Sequence, residues 1–528
     1  MLFQVLSDTL SYQLDAMLII AGTVVALVPA FLLAFPARTT TLPGPPGYPI
    51  IGNLFQLGKC WSETFRLWGF KYGEVFAVRL GERDVVIINT PRAAMELLEK
   101  QGGAYISRPL FHTFHNVLSN KGSAPYSIGT SPWDGSLKAR RKAAATAMNK
   151  PGVQSYTPII EYETLAALKD LLEHGKEYID PNRYFQRLGL NISLFVNYGT
   201  RMGDIDSELF QEIVDVSARI GEIRSVTSSL VDYLPILRII PNSSRNLEAK
   251  ELAARRTVFL EKMLDDLLDR IKDNTDVPCI MGHILRDPEA KLDRTEQMSI
   301  CNTMVSASLD TFSTTMLWMT SVLAQRPEMQ EKAYRDIVSS HAGGPLDPFS
   351  EKSDFVLAIV KETSRYYSIV RLALPKATIA DSEWQGHRIQ AGTTVFLNVW
   401  ACNMNEELFG DPWSFRPERY IEKQESDAAR ATYAFGAGRR KCPGMHLGIR
   451  EMYVTCMYIV YYFRLEKARE NIEGSASLHP VEAIDNYNAL TMMPKQFKVK
   501  FVPREENLER LKHVLSNEKF PGGKDVEV

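Results

Sequence analysis

The sequence has little cysteine. Its six thiols, at positions 60, 279, 301, 402, 442 and 456, are scattered with no Cys-x-x-Cys pair. That spacing excludes a dense disulfide framework and fits a reducing compartment. An excess of charge of one sign is lacking too: 61 Lys and Arg face 63 Asp and Glu, for a formal net charge of −2. No Lys/Arg run offers a surface to a polyanion, so no nucleic-acid partner is expected. Internal repeats and long low-complexity linkers are also missing. A chain of 528 residues has room for three or four domains, yet nothing in it marks a cut through the body. With 45% hydrophobic and 23% charged residues, the composition is that of a globular protein.

What the sequence does contain begins with one long apolar run. Residues 16–37 carry no charge, and at helical rise they would cover about 30 Å, the thickness of a bilayer core. Asp8 and Asp15 precede the run and Arg38 follows it. This pattern speaks against a cleaved secretory signal and places the body on the cytosolic side. The expected organisation is a flank at 1–15, a membrane anchor at 16–37 and a stiff proline-rich linker at 38–52. One body follows at 53–503, and a charged tail at 504–528 is expected to be solvated and mobile. Within the body, residues 74–90 alternate as a hairpin around Gly81-Glu82-Arg83-Asp84. Helical patterning dominates from about 155 to 274 and from 294 to 325, and strands return at 377–400 and 497–502. The fold class expected is mainly α with small β-sheets.

The stretch around which the chemistry is organised is Phe435-Gly436-Ala437-Gly438-Arg439-Arg440-Lys441-Cys442-Pro443-Gly444. Glycines let a backbone approach a flat ligand and turn its N–H groups inward. Arg439, Arg440 and Lys441 are expected to favour the Cys442 thiolate, the form that binds metal. Taken alone, the stretch would also suit a Gly-rich turn with a buried cysteine. Its pattern Phe435-x-x-Gly438-x-Arg440-x-Cys442-x-Gly444 resembles the heme-binding loop of the cytochrome P-450 heme-thiolate monooxygenases. The resemblance implies the cytochrome P-450 fold and a heme with Cys442 as its axial iron ligand. Phe435, Gly436, Gly438, Arg440 and Gly444 would complete the cofactor loop.

Further motifs carry the same resemblance in chain order. Glu362 and Arg365 lie three apart on one helix face, close enough to pair, and Phe415-Arg416-Pro417-Glu418-Arg419-Tyr420 follows. By resemblance, Glu362, Arg365 and Arg419 form a buried ion network under the cysteine loop. Ala307-Ser308-Leu309-Asp310-Thr311 stands where the family's distal helix carries a small-Gly-x-acid-Thr pattern and opens locally. Ser308 replaces the glycine, and a serine bonded back to the preceding turn is expected to serve instead. Asp310 is then the proton relay and Thr311 the hydroxyl that orients oxygen and water. Trp133, Arg141 and Lys376 are the expected partners of the heme propionates. A solvated basic face docking an acidic redox partner is the alternative for the cations after Trp133.

The sequence holds no dinucleotide loop or flavin domain, so the resemblance implies electrons from a separate NADPH-dependent reductase, with O2 as co-substrate. It also implies a single-pass protein of the endoplasmic reticulum membrane. Other stretches resemble the fungal phenylacetate hydroxylases: Arg108-Pro109, Thr113-Phe114-His115, residues 128–134, residues 198–202 and Arg365-Tyr366-Tyr367. They imply hydroxylation of a small aromatic ring bearing an acidic side chain. Ala307, Val370 and Arg371 are the expected pocket residues, Arg371 as partner of the substrate carboxylate or, alternatively, of a propionate. The competing reading is a tailoring oxidase of fungal secondary metabolism acting on another aromatic or amino-acid-derived substrate.

Overall fold

The computed structural model describes residues 39–119, 127–239, 244–422, 432–468 and 477–517, with the isolated positions Met17 and Gly22. The expected anchor at 16–37 therefore lies, but for those two positions, outside the described residues. Among the described residues no helix is long and apolar enough to cross a membrane.

The longer elements, in chain order, are α1 (Trp61–Tyr72), β1 (Val75–Leu80), β2 (Arg83–Ile88), α2 (Gly135–Ala147), α3 (Lys150–His174), α4 (Asn182–Tyr198), α5 (Glu208–Arg224) and α6 (Ser244–Lys272). They continue with α7 (Arg294–Gln325), α8 (Pro327–Ser340), α9 (Asp354–Tyr367), β3 (Lys376–Ala377), β4 (Ser382–Trp384), β5 (His387–Ile389) and β6 (Thr394–Leu397). The chain closes with α10 (Met445–Tyr462), β7 (Phe463–Lys467), β8 (Val499–Pro503) and α11 (Glu505–Asn517). A four-stranded sheet in the order β1-β2-β6-β3 flanks the helices, and two two-stranded antiparallel sheets pair β4 with β5 and β7 with β8. Gly81 turns the first hairpin in the left-handed region, φ +57°, where glycine has no Cβ penalty. The architecture is mainly helical with small sheets.

Helix α7 is the axis of the helical part. Asp293 and Glu296 cap its first turn reciprocally, satisfying donors that a helix start leaves orphaned. Pro327, opening α8, marks where the chain departs. Over most of its length α7 is buried on all sides, with helix α4 crossing it in the most extensive helix–helix contact. Gly189 of α4 makes that approach possible: a Cβ there would stand 2.9 Å from Phe312 Cδ1. Several serines and threonines within α7 bond back to the helix itself, as Ser313 Oγ does on Leu309 O at 2.6 Å, which lets polar side chains sit on a buried helix. Thr314 Oγ1 is buried without a partner among the described residues.

Two expected boundaries shift. The segment expected as a free linker at 38–52 packs onto the sheet from residue 39: Leu42 is buried, and Ala77 N donates to Pro43 O at 2.8 Å. Asn53 fastens it by donating to Pro45 O and Pro46 O. Proline removes donors but keeps its carbonyl, and the sheet edge and Asn53 use those carbonyls. The expected solvated tail instead begins with α11, which buries Leu511 and Asn507. Asn507 Nδ2 donates to Tyr461 O at 2.8 Å, and Arg510 Nη1 to Tyr461 Oη at 2.8 Å. High charge hid an amphipathic helix that docks on α10 and α3. Leu511→Ala is expected to lower unfolding stability by about 2–3 kcal/mol in urea titration; no measurable loss would mean that the helix does not dock.

Candidate active site

Residues 435–444 form a loop folded back on itself. Cys442 N donates to Phe435 O at 3.0 Å and Lys441 N to Gly438 O at 2.9 Å. Gly436 and Gly438 adopt φ of +74° and +75°. At Gly438 a Cβ would stand 2.3 Å from Leu98 O, and its N–H donates to Glu99 Oε1 at 2.7 Å. A Cβ at Gly436 would meet nothing within 4 Å. All six cysteines are free thiols, and Cys442 alone is exposed. The expected easy ionisation of Cys442 is not what the surroundings dictate. The protein mass around it pushes the thiol up from its ordinary value, while the Gly444 N–H, Arg141 and Lys441 pull it only partly back. A coordinated metal would deprotonate such a thiol outright.

Behind this loop Glu362, Arg365 and Arg419 come together with 1% or less of each side chain exposed. Arg365 donates Nε to Glu362 Oε2 and Nη2 to Oε1, both at 2.8 Å. Arg419 Nε reaches Oε1 at 3.2 Å, and the Arg416 backbone N–H reaches it at 2.8 Å. The remaining guanidinium donors go to the carbonyls of Asn403, Phe409, Asp411, Pro412 and Ser414. Asn403 carries the link onward: its Oδ1 accepts from Tyr433 N at 3.0 Å, two residues before Phe435. The network therefore supports the approach to the cysteine loop through bonds that can be traced one by one.

A second group of cations has only the charge of Glu99, felt by Lys376, set against it. Arg108, Lys376 and Arg440 are 7%, 3% and 5% exposed, and none has an ion-pair partner among the described residues. Arg108 donates to Gly129 O, Leu374 O and Pro375 O, and Arg440 to Ile106 O, Ile128 O, Gly129 O and Ser131 O. Burial and their mutual repulsion hold Arg108 and Lys376 well below their ordinary values. Burial, with Arg141 and Arg140 nearby, brings Arg440 down to about 9. Buried like charges of this kind call for an anion. A heme fits: its iron takes a thiolate, and its two propionates would neutralise this cluster. Of the expected propionate partners, Lys376 lies within the group and the charge of Arg141 reaches both Arg440 and Cys442. Trp133 is exposed, its backbone N–H bonded to Ser107 Oγ at 3.0 Å. Arg108, quoted above only as part of a motif, belongs to the group by position.

On α7, Asp310 lines a cavity that opens to solvent at its rim. Burial pushes its carboxyl up to about 6, against the pull of Arg224. Thr311 Oγ1 donates to Ala307 O at 2.6 Å, and Ala307 is exposed although its helix is internal. The expected local opening of the helix is absent, since α7 runs unbroken through these residues. Nor does Ser308 bond back to its own turn: its Oγ points across to Glu451 Oε2 of α10 at 3.4 Å. Glu451 Oε1 is buried without a partner, and burial pushes this carboxyl up to about 8.

Arg371 is not in the cavity. Its Cζ lies 4.0 Å from the Trp400 ring centroid, and its donors go to Pro480 O, Tyr367 O at 3.5 Å and Cys60 Sγ at 3.8 Å. Ser368, in the left-handed conformation that ends α9, starts the turn that leads there. The guanidinium stacks between structural elements and cannot meet a substrate carboxylate. Ala307 and Val370 do not line the Asp310 cavity either; Phe114, Arg224, Arg256 and Phe259 do. Sequence spacing gives no signal for Arg224 or Arg256, because distant helices bring them together.

Two outcomes test these electrostatics. Glu362→Ala leaves two buried guanidiniums without their anion and is expected to cost about 3–5 kcal/mol in denaturant unfolding; a cost near zero would contradict the network. For Glu451, the folded value of about 8 lies above its ordinary 4.5. Its contribution is therefore full below pH 4.5 and is lost as pH rises through 8. Thermal stability should fall between pH 5 and pH 8 more steeply in the native protein than in Glu451→Gln, and parallel curves would assign the loss elsewhere.

The comparisons agree with this geometry. The cytochrome P-450 family model matches residues 42–501. A cytochrome P-450 monooxygenase of Mycosarcoma maydis is 44% identical over 481 residues, covering 88% of each chain. The 3-hydroxyphenylacetate 6-hydroxylase of Emericella nidulans is 42% identical over 476 residues, covering 89% of this chain and 90% of the relative. The phenylacetate 2-hydroxylase of the same organism is 41% identical over 516 residues, covering 93% and 99%. With the family model spanning nearly all of the body, the chain belongs to the cytochrome P-450 family, the monooxygenases whose heme is held by a cysteine thiolate.

Proposed function

We propose that this enzyme hydroxylates a small aromatic acid of the arylacetic class, using O2 and electrons delivered by a separate NADPH-dependent reductase. The observation that carries the reading is the cavity against α7, where aromatic and aliphatic walls surround Asp310 and two arginines. Its aromatic and aliphatic lining suits a ring, and its arginines suit a short acidic side chain. The similarity to hydroxylases named for phenylacetate and 3-hydroxyphenylacetate supports the same substrate class.

In this reading Cys442 would hold the heme iron through its thiolate, and Phe435, Gly436, Gly438, Arg440 and Gly444 shape the loop that presents it. Arg108, Arg141, Lys376 and Arg440 hold the propionates. When bound, the heme supplies oxygen activation, which an axial thiolate favours by pushing electron density toward O–O cleavage. The Gly444 N–H, directed at the Cys442 sulfur, tempers that donation. Asp310 works as the proton relay: with a value of about 6, it both takes and gives a proton near neutral pH. The Thr311 hydroxyl, one residue on, turns between Ala307 O and a ligand on the exposed side of the helix. Residues 16–37 serve as the anchor in the endoplasmic reticulum membrane, as the charge-free run and Arg38 suggest.

With reductase and NADPH, phenylacetic acid should yield a ring-hydroxylated acid; NADPH oxidation without product across a panel of aryl acids would sink the proposal. Asp310→Asn is expected to lower kcat by about 10- to 100-fold and to abolish the inflection near pH 6 in the native profile. An unchanged profile would move the relay to another group.

A further inference from the structure

We infer that Arg224 and Arg256 form the carboxylate-binding end of the substrate cavity and select for acids over neutral aromatics. This inference rests on the arylacetate reading above and assigns the residues that enforce it. The two guanidiniums come from different helices: Arg224 from the last turn of α5, Arg256 from the middle of α6. Both line the space that α7 closes with Asn302, Val305, Ser306 and Asp310. Gly221, one turn before Arg224, brings α5 close to Asp310; a Cβ there would lie 3.7 Å from Asp310 Oδ2.

The charge balance is the first argument. Two cations and one carboxyl line the cavity, and neither arginine has an ion-pair partner among the described residues. Arg224 Nε is buried without any hydrogen-bond partner. Among the described residues Arg256, 5% exposed, reaches Leu118 O alone, at 3.5 Å. Each guanidinium presents five donors in a planar fork, and Arg224 Nε, with the thinly engaged Arg256, leaves donors for a ligand. Asp310 can neutralise one cation at most, which leaves at least one positive charge in a sheltered site. Leaving a buried charge uncompensated is costly, and a ligand carboxylate in bidentate contact removes that cost.

The second argument is the wall chemistry. Phe114, Ile220, Phe259, Leu260 and Val305 surround the remaining space, offering apolar area to a ring while the arginines hold the acidic group. A ligand with one aromatic end and one anionic end satisfies both halves. Holding the acid also fixes the ring relative to α7, so the same pair bears on which ring carbon is presented.

The test compares phenylacetate with phenylacetamide, nearly the same shape without the charge. Binding to the purified holoenzyme is followed by the spin-state difference spectrum. The native protein should bind the acid about tenfold or more tightly than the amide. Arg224→Gln and Arg256→Gln should each weaken the acid by about tenfold or more while shifting the amide by less than about threefold. Arg224→Lys keeps the charge but loses the fork and should retain part of the preference. A native protein that binds acid and amide equally overturns the inference without any variant. So do Gln variants that weaken both ligands in parallel or neither. Should a Gln variant lack the red-shifted carbon-monoxide band, the native comparison and Arg224→Lys decide. Turnover of the acid without preference over the amide defeats only the arginine pair. Failure to convert either compound, with reductase present and the band intact, defeats the arylacetate reading itself.

Discussion

The Glu362 carboxylate is the constraint on which the rest of the molecule depends. It is fully buried between Arg365 and Arg419 and also accepts the Arg416 backbone N–H. One anion thereby fixes α9 to the segment that leads to the cysteine loop. The two guanidiniums spread the hold further by bonding the carbonyls of five residues from Asn403 to Ser414. Through Asn403 and Tyr433 the arrangement reaches the loop that carries Cys442. A buried ion network is a weak source of net stability but a strong source of geometry, because any other arrangement strands a charge.

Elsewhere the interior reverses this economy. Around the cysteine loop Arg108, Lys376 and Arg440 face backbone carbonyls and one another, and around the Asp310 cavity Arg224 and Arg256 outnumber the acid. The two groups are electrostatically continuous, since Arg224 depresses both Arg108 and Arg256. In the function and inference proposed above, these charges meet anions: two propionates at one place, a substrate carboxylate at the other. Functional sites are where proteins accept such imbalance, and ligand binding removes it.

Much of the fold could be read from pattern. The first hairpin, the strands near 377–400, helix α9 and helix α7 were visible because local periodicity and caps dictate them. The cysteine loop was readable because its glycines and Cys442 must stand at fixed spacing. Other features depend on long-range packing and left no local trace. The proline-rich segment reads as a stiff linker and packs on a sheet; the charged C-terminal stretch reads as a mobile tail and begins as a docked helix. Arg371 sits near residues expected to line the pocket, yet its guanidinium turns onto Trp400.

The sequence by itself determined the family, the heme-thiolate chemistry and the residues of the ion network, because each of these is a short pattern whose members are close in the chain or occur in fixed order. Only the tertiary structure decided which arginines share a cavity with Asp310, that Ser308 meets Glu451, and that Arg108 joins Lys376 and Arg440. The physical reason is that charge balance in a buried site sums over side chains from distant helices and loops, and the order of residues along the chain does not encode that sum.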